Sequence, residues 1–225
     1  MIHRSAAPSP LTAAEAATIE ARVKVLEARA GIQVVAAVVE RSDVYHGLRW
    51  RAFAIVVSLA GLSAVLLDEF RPSWPSEHTV LLVLALVLGV GAAAALAATV
   101  RPGFARLFLE PLRADAEIRR RAESLFLQQE LFGTRGRNAI LILASSFERR
   151  AAVYADRGLR ERVPDDLWIA VAARMNPLLA TGRTADALLA GLGAAETLLV
   201  EHHVVPREGV ANELSDQPIV AEAPR

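Results

Sequence analysis

The chain of 225 residues contains no cysteine. Disulfide bonds, thiolate nucleophiles and cysteine-based metal sites are therefore excluded, and cysteine usage gives no indication of the compartment. Aromatic residues make up only 5% of the chain, and basic residues are not interleaved with them, so no nucleic-acid partner is expected. Lysine plus arginine equals aspartate plus glutamate, at 25 each, so the net charge indicates no particular partner.

Familiar catalytic motifs are missing as well. The sequence has no Gly-rich phosphate loop of the Walker type, no H-E-x-x-H and no G-x-S-x-G. His202 and His203 are adjacent on a predicted helix, where their rings point roughly 100° apart and cannot readily chelate one metal. We therefore identify no catalytic residues, and the sequence leaves open whether the protein is an enzyme.

Apolar residues are abundant, at 53% of the chain, and two uncharged runs concentrate them. Residues 79–100 carry no charge over 22 positions, which exceeds the roughly 20 residues needed to cross a bilayer core. Residues 52–67 are uncharged over 16 positions, and Trp50 and Phe70 flank them. We predict a two-helix transmembrane hairpin over residues 47–101. The alternative is a pair of buried helices in a large soluble core.

Arginines around the hairpin predict its orientation. Three of them precede the first run and three follow the second, whereas the link between the runs carries only Arg71. Loops rich in Lys and Arg stay on the cytoplasmic side, so both termini and the soluble domain are expected in the cytoplasm, beside the lipid bilayer. The flanking arginines are Arg41, Arg49, Arg51, Arg101, Arg106 and Arg113.

Outside the hairpin, apolar segments predict a small sheet. Residues 139–144 form a nearly unbroken apolar run, and residues 151–155 follow after a short polar link, which favours an antiparallel strand pair. Residues 32–39 predict a valine-rich strand that is joined to this pair through a helix, so one sheet is expected to hold all three. We expect Glu148, in the polar link, to be solvated.

Helical patterns account for most of the remaining chain. Thr12 and Glu15 fit a capping box at the start of a helix that ends at Gly31. A later helix is expected to begin with Asp165 as its N-cap, and Pro177 is expected to kink or split it. The resulting plan is an α/β domain interrupted by the membrane hairpin, with these segments: a flexible tail at 1–11, the first helix and strand at 12–46, the hairpin at 47–101, the remainder of the domain at 102–205, and a flexible tail at 206–225.

The strand pair lies within the motif ILILASSFERRAAVYADRGL, residues 140–159. Together with this motif, a further set of positions carries a resemblance to a known family: Arg121, Ala122, Glu123, Leu125, Phe126, Thr134, Arg137, Val163, Pro164, Trp168, Gly182, Gly191, Leu198, Asn212, Glu213 and Leu214. In these residues the chain resembles the TPM domain family, the group of thylakoid-lumen acid phosphatase-like proteins. It looks most like the short members with a membrane hairpin and differs from the secreted members, which carry a signal peptide.

The resemblance implies a compact fold with three layers, α/β/α. It implies several functions rather than one, because some members of the family are reported as phosphatases and some bind calcium. Others look like accessory factors in the assembly or repair of membrane complexes. The resemblance therefore indicates a fold more directly than it indicates an activity.

Four aspartates are candidates for a divalent-cation site. Asp156 ends a strand and begins a turn, which is a usual place for a ligand-binding carboxylate in an α/β sheet, and the resemblance places an acidic residue of the family there. Asp43 follows the first strand, and Asp165 and Asp166 begin a helix, so these residues could converge on Asp156 if the strand ends adjoin. Oxygen ligands of this kind suit calcium or magnesium. Ordinary turn and cap chemistry is the alternative.

Two arginine clusters have alternative interpretations. Arg135 and Arg137, beside Gly136, could bind phosphate through charge and backbone N–H groups, or they could belong to an ordinary charged loop. The run at residues 119–121 is either a solvated helix surface or a contact with anionic lipid head groups.

Two functions of different classes fit these observations. The first is a non-catalytic accessory or interaction module that is anchored in the membrane and binds a membrane-associated protein partner. The second is a divalent-cation-dependent, phosphatase-like hydrolase built on Asp156 and neighbouring carboxylates, and it rests on the resemblance alone. A transporter subunit is disfavoured, because two spans without an intramembrane charge offer no pathway.

Overall fold

A computed structural model describes residues 11–42, 45, 47–70, 77–134, 136–204 and 214–221. The elements in chain order are α1 (Ala13–Ala30), β1 (Gln33–Val39), α2 (Gly47–Phe70), α3 (Glu77–Val100), α4 (Pro102–Ala105), α5 (Pro111–Gln128), β2 (Ala139–Ser145), β3 (Arg150–Ala155), α6 (Arg157–Arg160), α7 (Asp165–Ala180), α8 (Thr184–Glu201) and β4 (Ile219–Ala221). Short 3₁₀ turns follow α4 and α5, at Arg106–Phe108 and Leu131–Gly133.

The four strands form one mixed sheet in the order β3-β2-β1-β4. Strand β2 pairs antiparallel with β3, with Ile142 opposite Val153, which confirms the predicted strand pair. Strand β1 lies parallel to β2, with Val34 opposite Ile140, so the first strand joins the same sheet. Strand β3 is consequently an edge strand, and β1 occupies an interior position.

Side chains that alternate between the two faces of the sheet divide the interior into two cores. Val34, Ile140 and Ile142 face one core together with the apolar sides of α1, α7 and α8. Val35 and Leu141 face the other core, which α5 covers. Successive strand side chains point to opposite faces, and apolar residues occupy both series, so helices must cover both faces of the sheet. The α/β/α layering expected for the domain is confirmed.

Local signals explain the first helix. The hydroxyl of Thr12 accepts a hydrogen bond from the Glu15 N–H at 3.3 Å, and the Glu15 carboxylate accepts one from the Thr12 N–H at 2.7 Å. Gly31 ends the helix with φ of 64°, in the left-handed region that favours glycine. The predicted capping box and stop are confirmed.

Helix α7 begins one residue earlier than predicted and is not split at Pro177. Asp165 was expected as the N-cap, but Pro164 holds that position with an extended ψ of 146°, and Asp165 is the first helical residue. The helix also runs past Pro177 to Ala180 without being split. Packing explains this continuity, because Trp168 and other apolar side chains of α7 lie buried in the core on both sides of the proline position.

The C-terminal tail, predicted to be flexible from residue 206, differs at Ile219–Ala221, which form β4 beside β1. Three residues are too few for a period-two pattern to identify a strand. The strand forms because β1 offers an unpaired edge, and the Leu214 N–H also donates to Gln33 Oε1 at 3.1 Å. Residues 1–10, 206–213 and 222–225 of the two predicted tails lie outside the described residues.

Glu148 was expected in solvent, and this prediction is wrong. Its side chain is buried in the turn between β2 and β3. One carboxylate oxygen accepts the Ser42 N–H at 2.8 Å, and the Ser145 hydroxyl donates to the other. These bonds satisfy the buried charge, since a carboxylate is buried at low cost only where donors meet it. They also hold the chain after β1 against the end of β2.

Residues 45–110 form a separate compact unit, whereas the sequence places the return to the α/β domain at residue 102. Helices α2 and α3 pack side by side in this unit, and Gly91 marks a close approach, because a Cβ there would clash with Val57. Each helix has 24 residues and is therefore about 36 Å long. Only 6% and 11% of their most apolar windows are buried, unlike the core helices of soluble proteins. Both helices are long and apolar enough to cross a membrane.

Candidate functional site

Asp156 lies at the end of β3 and is the N-cap of the short helix α6. Its Oδ1 accepts the Arg157 N–H at 2.7 Å, and its own N–H donates to Ala139 O at 2.8 Å. Arg137 Nε donates to Oδ1 at 3.2 Å and lies 3.0 Å from Oδ2. The side chain is only 3% exposed. Among the described residues, no hydrogen bond reaches Oδ2.

The loop before β2 positions Arg137 against this carboxylate. Arg137 has φ of 49°, and its carbonyl oxygen accepts the Gly158 N–H at 2.9 Å. A Cβ on Gly158 would stand 2.7 Å from that same oxygen, so only glycine lets helix α6 approach the loop this closely. The arginine proposed from sequence as a phosphate ligand and the favoured aspartate therefore form one ion pair. Arg135 lies outside the described residues.

The other predicted ligands are placed differently. Asp165 and Asp156 line the same cavity, of about 700 Å³. Asp165 accepts hydrogen bonds from Arg160, and this partner lowers the pKa of the Asp165 carboxyl. Asp166 is exposed and does not line the cavity. Asp43 lies outside the described residues.

These positions bear on the proposed cation site. The unpartnered Asp156 Oδ2 is a suitable oxygen ligand, but the Arg137 guanidinium stands beside it. Calcium takes about six to eight oxygens, and nowhere in the described ranges do three acidic, histidine or cysteine side chains gather as a metal-binding group. The calcium or magnesium site at Asp156, Asp165, Asp166 and Asp43 stays a prediction.

A second cavity, of about 340 Å³, adjoins the first along the edge of β3 that has no neighbouring strand among the described residues. We call it the strand groove. Residues 151–155 of β3 form its floor, and α5 and α7 form its two walls. Tyr154, Ala155, Arg160 and Asp165 line both cavities, so the groove continues into the space beside Asp156.

The two walls of the strand groove differ in chemistry. On the α7 wall, Trp168 and Ala172 are buried, and Ile169 is 46% exposed. On the α5 wall, Arg119 and Glu123 are exposed at the rim. One wall therefore presents mainly apolar surface and the other presents charges.

Trp168, one of the residues that line the groove, carries a buried hydrogen-bond donor without a partner among the described residues. The residue is 3% exposed, and within the described part of the chain nothing accepts a hydrogen bond from its indole Nε1. A buried donor without an acceptor is unfavourable and rare in folded proteins. Periodicity in the sequence says nothing about which polar atoms find partners, so this donor was not predicted.

Comparisons with known proteins agree with the fold. Residues 96–198 match the family model of the TPM domain, from the last turns of α3 into α8. The chain is also similar to the NMR structure of the BA42 protein from the psychrophilic bacterium Bizionia argentinensis, with a TM-score of 0.54, 14% identity, and coverage of 98% of this chain and 100% of that one. At this identity the likeness shows the fold alone. A comparison with curated proteins found no match. This chain contains a TPM domain, as the resemblance in its sequence implies.

Proposed function

We propose that this protein is a membrane-anchored accessory module whose TPM domain binds a protein partner in the strand groove. The observation that carries the proposal is the groove itself, a sheet edge unpaired by any described strand and set between one apolar and one charged wall. Surface of this kind, with apolar area beside polar rims, is typical of protein interaction sites.

The paired state of nearby charges supports a binding role over catalysis. Arg137 engages Asp156, and Arg160 engages Asp165, so both candidate carboxylates already serve the fold. A general acid or base needs a group that is free to exchange a proton with substrate. The charged groups at the groove rim are better suited to orienting a partner.

The anchor in this proposal is the helix pair α2 and α3, with both termini in the cytoplasm. The arginine bias on either side of the two apolar runs supports this orientation. Because the chain has no cysteine, single introduced cysteines can be labelled to determine this orientation. An impermeant maleimide added to intact cells should label Ser73→Cys, in the link between the runs, and should label Val200→Cys only after permeabilisation. The reverse pattern would invert the topology.

Photocrosslinking in native membranes tests the binding role. Benzoylphenylalanine replaces Ile169 on the groove wall, and the matched control replaces Val200, which is 66% exposed on α8 and does not line the groove. We expect a discrete crosslinked species from position 169 that is absent from position 200. Identical patterns at the two positions, or no adduct at position 169, would refute binding in the groove.

A divalent-cation-dependent hydrolase is the second candidate, and one observation favours it. The buried Asp156 Oδ2 accepts no hydrogen bond from any described residue, so a cation that displaces the Arg137 guanidinium from beside it would find an oxygen ligand there. Calorimetric titration of the detergent-solubilised protein with calcium and with magnesium tests it, beside Asp156→Asn, which retains a good N-cap. Saturable binding that the substitution abolishes would support this candidate. Heats of dilution alone from both proteins would end it.

A further inference from the structure

We infer that the strand groove binds an extended segment of its partner as an additional β-strand along β3, with the apolar side chains of that segment facing α7. The inference rests on the proposed function, because it names the kind of segment that occupies the same groove. It follows from the hydrogen-bonding state of the β3 backbone and from the two walls.

The pairing register shows which backbone groups of β3 face the groove. The Asp156 N–H donates to Ala139 O at 2.8 Å, so it points toward β2. Backbone groups alternate in direction along a strand, and Tyr154 and Ala152 therefore also face β2. The N–H and C=O groups of Val153, which lies opposite Ile142, point the other way. Among the described residues nothing forms a hydrogen bond with these outward groups of Val153.

Both ends of this open stretch are closed by other parts of the domain. The Ala151 N–H, which also points outward, donates to Asn176 Oδ1 at 3.0 Å, so the α7 side chain takes the place of a neighbouring strand there. At the other end, Asp156 leads directly into α6. The available edge thus centres on Val153 and Ala155.

An extended backbone is the occupant that fits this edge. The outward groups of alternate residues repeat at about 6.6–7 Å along a strand, and a second extended chain presents donors and acceptors at the same repeat. Strand addition of this kind gives affinity through main-chain hydrogen bonds and selectivity through the alternate side chains. A helix has already used its own backbone groups and cannot supply them.

The walls specify the side chains of the added strand. Residues that point toward α7 meet Trp168, Ile169 and Ala172, so apolar side chains fit on that side. Residues that point toward α5 meet Arg119 and Glu123, so polar or charged side chains fit there. The bound segment should therefore alternate apolar and polar residues.

A second copy of this chain is a poorer occupant. Its β3 would lie at the floor of an identical groove, below the walls formed by its own α5 and α7. Two recessed edges cannot approach to the roughly 4.8 Å separation of paired strands. A segment that can enter the groove in extended form is therefore a loop or terminus rather than a second β3, and we assign it to a different protein.

The test uses the full chain in lipid nanodiscs and nine-residue peptides selected from a random display library. The best peptide is resynthesised with one N-methyl group at each position in turn. Strand addition predicts that N-methylation weakens binding at every second position, by roughly tenfold or more at the central ones. The amide of Val153 should also become protected from hydrogen exchange when the peptide binds.

Two protein variants check the same contacts from the other side. Val153→Pro removes the outward N–H and should abolish peptide binding. Proline is tolerated at this position because the N–H of Val153 takes no part in the pairing with β2. Val153→Thr keeps the N–H and should bind the peptide as the parent does. The circular dichroism spectrum of each variant verifies its fold.

Each outcome separates the binding mode from the proposed function. Strand addition is supported if N-methylation weakens binding at every second peptide position and the Val153 amide becomes protected from hydrogen exchange. Weakened binding at intervals of three and four peptide positions, or a peptide affinity of Val153→Pro equal to that of the parent protein, overturns strand addition. Either result still leaves the groove as a site for a partner. Protein that selects no peptide and gives no crosslink at position 169 overturns both. A chain that is dimeric without peptide and becomes monomeric when the peptide binds would show a second copy in the groove and would overturn the choice of occupant.

Discussion

Glu27 makes the stability of the TPM domain depend on pH. Its side chain is half-buried on α1, and Oε1 accepts the Val34 N–H from β1 at 2.7 Å. Burial is the largest cause that raises the pKa of Glu27, the Val34 N–H lowers it, and the nearby Asp216 carboxyl raises it; together they bring it to about 7. Asp216 belongs to the segment that leads into β4, so protonation of Glu27 favours the packing of that segment on the domain.

The direction of the effect follows from the raised pKa. The folded protein holds the proton up to about pH 7, whereas the unfolded chain releases it near 4.5. The stabilisation is therefore fully present below pH 4.5 and is lost as the pH rises through about 7. The full shift corresponds to about 3.4 kcal/mol. Because Glu27 is partly exposed, screening by solvent reduces the expected loss to about 1–2 kcal/mol.

The assay measures the free energy of unfolding of the full chain in detergent at pH 5 and at pH 8. Trp168 is buried and reports unfolding by fluorescence, in a background with Trp50→Phe and Trp74→Phe. Glu27→Gln mimics the protonated group. Between pH 5 and pH 8 its free energy of unfolding should therefore fall by about 1–2 kcal/mol less than that of the parent. Glu201→Gln, at the exposed end of α8, is the control and should follow the parent. Parallel pH dependence of the parent and Glu27→Gln would refute the reasoning.

Two further predictions concern glycines, each with a matched control. Gly91→Leu should destabilise the α2–α3 pair by about 1–3 kcal/mol because its Cβ would overlap Val57, whereas Gly89→Leu, with open space around it, should not; titration of the bicelle-reconstituted protein with SDS measures both. Gly158→Ala should destabilise the TPM domain by about 1–3 kcal/mol because its Cβ would meet the Arg137 carbonyl. Gly193→Ala, on a helix with nothing within 4 Å, should be neutral or slightly stabilising in the same urea titration. Equal effects within either pair would contradict the close approaches.

The sequence predicted those elements whose signals are local. The apolar runs of β1 and β2, the capping box at Thr12 and the stop at Gly31 each depend on residues within a few positions, and all are present in the fold. Strand β4 was missed because its three residues take their structure from β1, far away in the chain. The sequence left open whether Pro177 kinks or splits α7, because the continuity of the helix depends on its packing against the sheet.

Prediction of the candidate site was limited in the same way. Asp156 was identified because it ends a strand and begins a turn, and it is a buried cap. The burial of Glu148 could not be read locally, because the Ser42 N–H that it binds lies 106 positions away. The strand groove was also not predicted. It requires α5 and α7 on opposite faces of one edge strand, and only the sheet order establishes that β3 is that edge.

The position of β1 explains why the domain depends on both sides of the inserted helix pair. The matched family segment begins at residue 96, so α1 and β1 lie outside it, yet β1 pairs with β2 on one side and with β4 on the other. A chain that began at residue 96 would leave β2 with an open edge and β4 without a partner. The apolar face of α8 would also lose α1, with which it shares a core. Strand β3 would then no longer be the only long exposed edge among the described strands, and a peptide could pair with β2 instead. Tests of the strand groove therefore need the full chain, in which β1 occupies that second edge.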